Sequence, residues 1–226
     1  MAYAGDPERA VGMQAYMKST MPYYGLRSAQ VRDICRQVFD GGDMECEEWW
    51  ATILEMWRGA RRREERYAAA WLLTRKRHAT CLTPAAMPAL EEMIVTGAWW
   101  DHVDELAMVV GDLLARYPKK MRLLMRKWST DANLWKRRVS IICQLRFKEK
   151  TDLDLLYSNI EPNFADRDFF IRKAIGWALR QYAWTDPQEV ARYVRAHDSR
   201  LSGLSRREAL KNIPLPPSGG GAGRGA

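Results

Sequence analysis

Trp99-Trp100-Asp101-His102-Val103-Asp104 runs straight into an apolar stretch, Leu106 to Leu114, whose hydrophobic residues recur at three- and four-residue spacing. That spacing is the signature of an amphipathic helix. On a helix, Trp100 and Asp104 are four residues apart and share one face. The stretch therefore presents an indole and a carboxylate side by side, in a chain of net charge +8. The pairing makes chemical sense if what is bound is anionic while what reacts becomes cationic.

The same helical spacing recurs outward in both directions. It runs from Val31 to Phe39, Trp49 to Trp57 and Tyr67 to Leu73 on one side, and from Leu134 to Leu145, Phe169 to Tyr182 and Val190 to Val194 on the other. No sustained period-two alternation interrupts it. Helix punctuation falls between these runs, at Gly41-Gly42, Thr83-Pro84, Gly97, Tyr117-Pro118, Ser129-Thr130, Glu161-Pro162 and Thr185-Asp186-Pro187. The chain reads as all-α, with segments of about 10–18 residues, as in an α-solenoid or a bundle. Segments starting at Arg61, Trp100, Leu134 and Phe169 lie roughly 35–40 residues apart, a helical-repeat period. A solenoid has a concave face, and a concave face lined with cations suits a duplex. Pro214-Leu215-Pro216-Pro217-Ser218 and the Gly-rich run to Ala226 cannot bury a core. A disordered tail over 214–226 is therefore expected behind a single domain over 1–213.

Lys plus Arg outnumber Asp plus Glu by 36 to 28, and the isoelectric point is near 9.4. That balance favours an anionic partner, nucleic acid first. The 10 tryptophans are many for this length; most suit the core, and a minority is expected to face a ligand, since indoles also stack on bases and sugars. Cys35, Cys46, Cys81 and Cys143 form no CxxC pair and read as free thiols in a reducing cytoplasm. His78, His102 and His197 lie far from the cysteines and from each other, so no metal site is expected. No apolar run approaches the roughly 18 residues that cross a bilayer, and the N-terminus has no signal pattern. A cytoplasmic protein without a membrane partner follows. GxxxxGK[ST], a GxGxxG after a strand, HExxH and GxSxG are all absent. Nothing supports ATP use, nicotinamide binding or serine hydrolysis, and no cofactor is expected.

Basic clusters punctuate the chain at Arg61-Arg62-Arg63, Arg75-Lys76-Arg77, Lys119-Lys120 with Arg122, Arg126-Lys127, Lys136-Arg137-Arg138, and Arg146 with Lys148 and Lys150. Each alone reads as a solvated helix face. Together, on a repeat that aligns equivalent positions, they read as phosphate contacts. Trp135 with Arg138, and Lys173 with Trp177 and Arg180, sit at helical spacing. They are either buried indoles beside snorkelling cations, or indoles for a sugar or base with cations for a phosphate. Asp101 and Asp104 also admit two readings. One is helix-start chemistry, with Gly97 ending one helix and Asp101 capping the next. The other is a carboxylate that stabilises positive charge in glycosidic cleavage. A metal site built on His102 lacks ligands at the right spacing.

From about Tyr16 to Ile213 the chain resembles the AlkD family of DNA alkylation repair enzymes, the HEAT-like repeat DNA glycosylases. Five stretches carry the likeness: Met21-Pro22-Tyr23-Tyr24-Gly25-Leu26, Arg63-Glu64-Glu65-Arg66-Tyr67-Ala68, Trp99 to Asp104, Leu134-Trp135-Lys136-Arg137-Arg138, and Phe169 to Tyr182. The resemblance implies an α-solenoid of HEAT-like repeats with a concave basic DNA-binding face. It implies that Asp104 is the catalytic carboxylate and that Trp100 and Trp177 cradle the damaged nucleotide's backbone. It places Arg138 on DNA near the lesion, and Tyr24, Lys173 and Arg180 at the DNA-binding cleft. Asp101 falls outside the catalytic position and is assigned to the helix start.

The implied substrate is double-stranded DNA carrying a positively charged N3- or N7-alkylpurine, such as 3-methyladenine or 7-methylguanine. The implied reaction is hydrolysis of the N-glycosidic bond in base excision repair, without base flipping and with tolerance of bulky adducts. A monomer without cofactor or metal, associated with the nucleoid when on DNA, would suffice. The alternative from another class is a non-catalytic helical-repeat module that binds nucleic acid or an acidic protein. It would need the basic faces but not Asp104.

Overall fold

The structure, a computed structural model, describes residues 1–42 and 44–213. The tail expected over 214–226 lies outside the described residues. Among the described residues there are twelve α-helices and no strand. They are α1 (Pro7–Met17), α2 (Ser28–Phe39), α3 (Cys46–Gly59), α4 (Arg63–Leu73), α5 (Met87–Gly97), α6 (Trp100–Arg116), α7 (Pro118–Trp128), α8 (Leu134–Ile142), α9 (Leu153–Ile160), α10 (Phe169–Tyr182), α11 (Pro187–Ala196) and α12 (Gly203–Ala209). The stretches with helical spacing all fall in these helices, except that Cys143-Gln144-Leu145 leave α8 as a turn. The chain divides into two compact units, Met1–Leu123 and Leu124–Ala226, and the boundary falls within α7.

In the first unit α4 packs against α2, α3 and α6, and α5 packs against α6. Trp49, Ile53 and Trp57 form one fully buried stripe down α3. From Ala68 to Leu73, α4 is buried at every position, as befits a helix surrounded by others. In α6, Val103, Leu106, Ala107, Val110 and Leu113 face the core. Gly97 is the last residue of α5, but the left-handed cap is Ala98, at φ +31°. A Cβ on Gly97 would lie 2.9 Å from the Trp57 ring, so close packing calls for glycine there.

The cysteine reading needs correction. Cys46 and Cys81 form a disulfide, bringing the start of α3 to the end of the short 3-10 segment Lys76–Cys81. Tertiary packing makes this pair, so no local CxxC spacing could announce it. Cys35 and Cys143 are free thiols, and burial pushes them up to about 11 and about 12.

In the second unit α10 packs against α8, α11 and α12. Every helix from α8 to α12 is capped by its own N-terminal residue: Asn133, Asp152, Asp168, Asp186 and Ser202 each accept from a backbone N–H within the first turn. The α10–α12 contact depends on Gly176. A Cβ there would lie 2.4 Å from Glu208 Cβ and 2.9 Å from the Ser205 carbonyl oxygen.

Candidate active site

Trp100 is the first residue of α6, and Asp104 stands one turn further on. Both side chains are half-buried. The expected cap at Asp101 is not formed. The N-cap residue is Trp99, which makes no side-chain capping bond, and Asp101 is the second residue inside the helix. Its carboxylate goes instead to α4. Arg63 grips it with Nη2 on Oδ1 and with Nε on Oδ2 at 3.3 Å, and the Tyr67 hydroxyl donates to Oδ2 at 2.5 Å. Arg63 is 5% exposed, so the ion pair is internal. Burial disfavours the Arg63 cation, but the hydrogen bond and charge of Asp101 outweigh that and raise its pKa. Burial, reinforced by Asp101, also pushes the Tyr67 hydroxyl far up.

His102 points into the core, 5.3 Å from the Trp57 ring and 5.0 Å from the Tyr67 ring. Burial lowers it to about 3, so it is neutral in the folded protein. Among the described residues, no three His, Cys, Asp or Glu side chains gather as a metal ion would require. A cleft of about 500 Å³ opens beside Trp100, lined also by Tyr16, Tyr23, Tyr67, Trp71 and Glu105.

Three consecutive residues at the start of α4 organise this region. Arg63 holds Asp101. Glu64 is fully buried and accepts from the backbone N–H groups of Tyr24, Gly25 and Leu26 at 2.8–3.0 Å. Glu65 accepts from the Tyr24 hydroxyl at 2.7 Å and from the Arg61 and Arg62 backbone. Tyr24 is thus fixed to α4, with the Arg62 guanidinium 5.3 Å from its ring, and the bond to Glu65 raises its pKa. Arg63, expected with Arg61 and Arg62 on a solvated or phosphate-contacting face, is instead buried on Asp101. The four consecutive charges Arg63-Glu64-Glu65-Arg66 directly before the apolar run Ala68 to Leu73 were the available signal that the first turn of α4 meets internal partners.

In the second unit Arg138 is 4% exposed and donates to the Phe170 carbonyl at 2.6 Å. Its guanidinium stands 6.0 Å from the half-buried Trp177 ring. Trp135, by contrast, is a core residue, 5.1 Å from Phe170. The neighbouring cations of this cluster are also engaged: Lys136 pairs with Asp131 at 2.5 Å and Arg137 with Asp166 at 2.9 Å. Lys173 and Arg180 converge on one carboxylate, Glu208 of α12. Lys173 Nζ bonds Oε2, and Arg180 Nη1 donates to both oxygens at 3.1 Å. The Lys173 bond, with Arg180 adding to it, holds Glu208 below the usual carboxylate range. The structure therefore joins Trp100 with Asp104 on one helix, Arg138 with Trp177, and Lys173 with Arg180, and ties Tyr24 to α4.

The family model described as "DNA alkylation repair enzyme" matches residues 1–213. A solved structure, the predicted DNA alkylation repair enzyme from Enterococcus faecalis, is similar over 92% of this chain and 96% of its own. The two share 30% identity, with a TM-score of 0.84. No curated protein matches the chain. The chain belongs to the DNA alkylation repair enzyme family, and the family implies DNA as its substrate. No described helix is long and apolar enough to cross a membrane.

Proposed function

We propose that this protein is a DNA glycosylase that removes positively charged N3- and N7-alkylpurines. The observation that carries the reading is the placement of Trp100 and Asp104 one turn apart at the start of α6, in a chain of this family. Alkylation gives the purine a positive charge and makes it a good leaving group. The bond from C1′ to the base nitrogen breaks with its electron pair going to the base, which departs neutral. Water then adds to C1′ and loses a proton, leaving an abasic sugar. Asp104 stabilises the cationic sugar as the bond breaks. Trp100 and Trp177 offer electron-rich indole faces to the deoxyribose and its growing charge. Arg138, Arg180, Lys173 and Tyr24 would hold the DNA backbone by exchanging their internal partners for phosphate oxygens. The cleft beside Trp100 leaves room for a bulky substituent, and a grip on the backbone makes base flipping unnecessary.

The test is base release. Methylated duplex DNA incubated with the protein should yield free 7-methylguanine or 3-methyladenine. Asp104→Asn should abolish release and retain binding. No release from any alkylated duplex, bulky adducts included, would sink the reading and leave a binding module. Affinity should also fall with salt at a slope of about −0.9 per phosphate contact. A flat response would remove the phosphate contacts from the account.

A further inference from the structure

We propose that Arg63 and Tyr67 are positioning residues for Trp100 and Asp104, acting through Asp101. The inference rests on the glycosylase reading of those two residues. A reacting carboxylate and its partner indole have to be held within about 0.5 Å of the productive geometry to be effective. Helix starts are the places where such precision is hardest to reach, because the first turn lacks its full set of intrahelical bonds. The start of α6 has no side-chain cap to compensate.

What holds it is Asp101, one residue after Trp100 and three before Asp104. Within one turn of helix these three backbone positions move as a unit, so a grip on Asp101 sets the azimuth of the other two. The grip has several points. Arg63 is a fork on the carboxylate, a geometry that fixes direction as well as distance. Tyr67 donates to the same carboxylate, accepts from Arg63 Nε at 3.1 Å and shares a hydrogen bond of 3.1 Å with the Tyr23 hydroxyl. Arg63 Nη1 reaches Ser19 Oγ at 3.4 Å, and its backbone N–H donates to the Pro22 carbonyl at 2.9 Å. The His102 and Tyr23 rings, at 5.0 and 6.5 Å, wall in the Tyr67 ring. Asp101 is thereby anchored in α4 and in the loop around residues 19–23, and Trp100 and Asp104 inherit that placement.

The experiment labels the protein with 5-fluorotryptophan, assigns the Trp100 resonance with Trp100→Phe, and compares wild type with Tyr67→Phe and Asp101→Asn. Tyr67→Phe removes one hydroxyl and keeps the ring, so it is the variant that stays folded. In both variants the Trp100 line should broaden or split while the Trp177 line stays put. Single-turnover base release at saturating protein should fall roughly tenfold or more, as expected for a misplacement of about 1 Å, with DNA affinity unchanged. An Arg63→Gln/Asp101→Asn double variant should be no slower than the worse single, because the pair acts as one unit.

An unmoved Trp100 line, or a moved line with undiminished release, overturns the inference. If wild type releases no base, or Asp104→Asn releases it normally, the glycosylase reading falls instead. The Trp100 line alone then decides whether Asp101 is the anchor.

Discussion

α10 begins at Asp168, whose carboxylate accepts from the Phe170 and Ile171 N–H groups at 2.7 and 3.3 Å, whereas the first turn of α6 is gripped from α4 by Arg63. The first is a local device: residue and recipients lie within three positions, and the helix would start there in any surroundings. The second works across 38 positions and exists only when α4 packs against α6. The charges are arranged in mirror image as well. In the first unit a cation and a phenol satisfy the carboxylate beside the proposed catalytic turn. In the second, one carboxylate satisfies two cations beside Trp177. A start built from tertiary contacts is more exposed to single substitutions than one built from a cap.

That contrast can be broken most directly at Arg63. Arg63→Met leaves the Asp101 carboxylate, 14% exposed, with Tyr67 as its remaining partner from α4, and should cost about 3–5 kcal/mol in urea unfolding. A cost under about 1 kcal/mol would mean that the ion pair is incidental to the start of α6. Gly176→Ala comes next. The added methyl meets Ser205 backbone and the Glu208 stem, and about 1–3 kcal/mol should be lost as α12 is displaced. An unchanged urea midpoint would show that α12 shifts without cost.

Asp168→Ala should cost only about 1 kcal/mol, the ordinary value of a lost cap. If it equals Arg63→Met in effect, the distinction between local and tertiary starts fails. The smallest effect belongs to Glu208→Gln and appears on acidification. Glu208 titrates below the ordinary 4.5 in the folded protein, so below 4.5 the unfolded chain holds the extra proton first. The stability contributed by its ion pairs is full above that pH and drains away as pH falls through the folded value. The gap in urea-unfolding stability between wild type and Glu208→Gln should therefore close on acidification, starting from under about 1 kcal/mol at neutral pH for a partly exposed pair. A gap that widens would contradict the assigned direction.

Helices were legible from the sequence wherever a broad apolar stripe met clear punctuation, as in α3, α6 and α10. α1, α5, α7, α9 and α12 carry none of the runs named from the sequence; α1 buries only Met17, and α12 has just 7 residues, about two turns. Around the candidate site the local spacings were readable: Trp100 with Asp104, and Lys173 with Trp177 and Arg180. The partners were not. Arg63 and Asp101, Glu64 and the 24–26 backbone, and Glu208 with its two cations meet through folding, and no periodicity encodes a choice between distant charges. Gly97 illustrates the same limit. It does end α5, as expected, but the reason for a glycine there is the Trp57 ring from another helix.

The Cys46–Cys81 bond closes a covalent ring that contains α3, α4 and the Arg63-Glu64-Glu65 triplet. Closing a ring across 35 positions lowers the conformational entropy of the unfolded chain by an amount worth on the order of 3–4 kcal/mol in the chain-entropy account. The helix that anchors the start of α6 is thus itself the segment whose escape routes are fewest. While that bond is intact, α4 returns from partial unfolding with its partners on α3 still within reach.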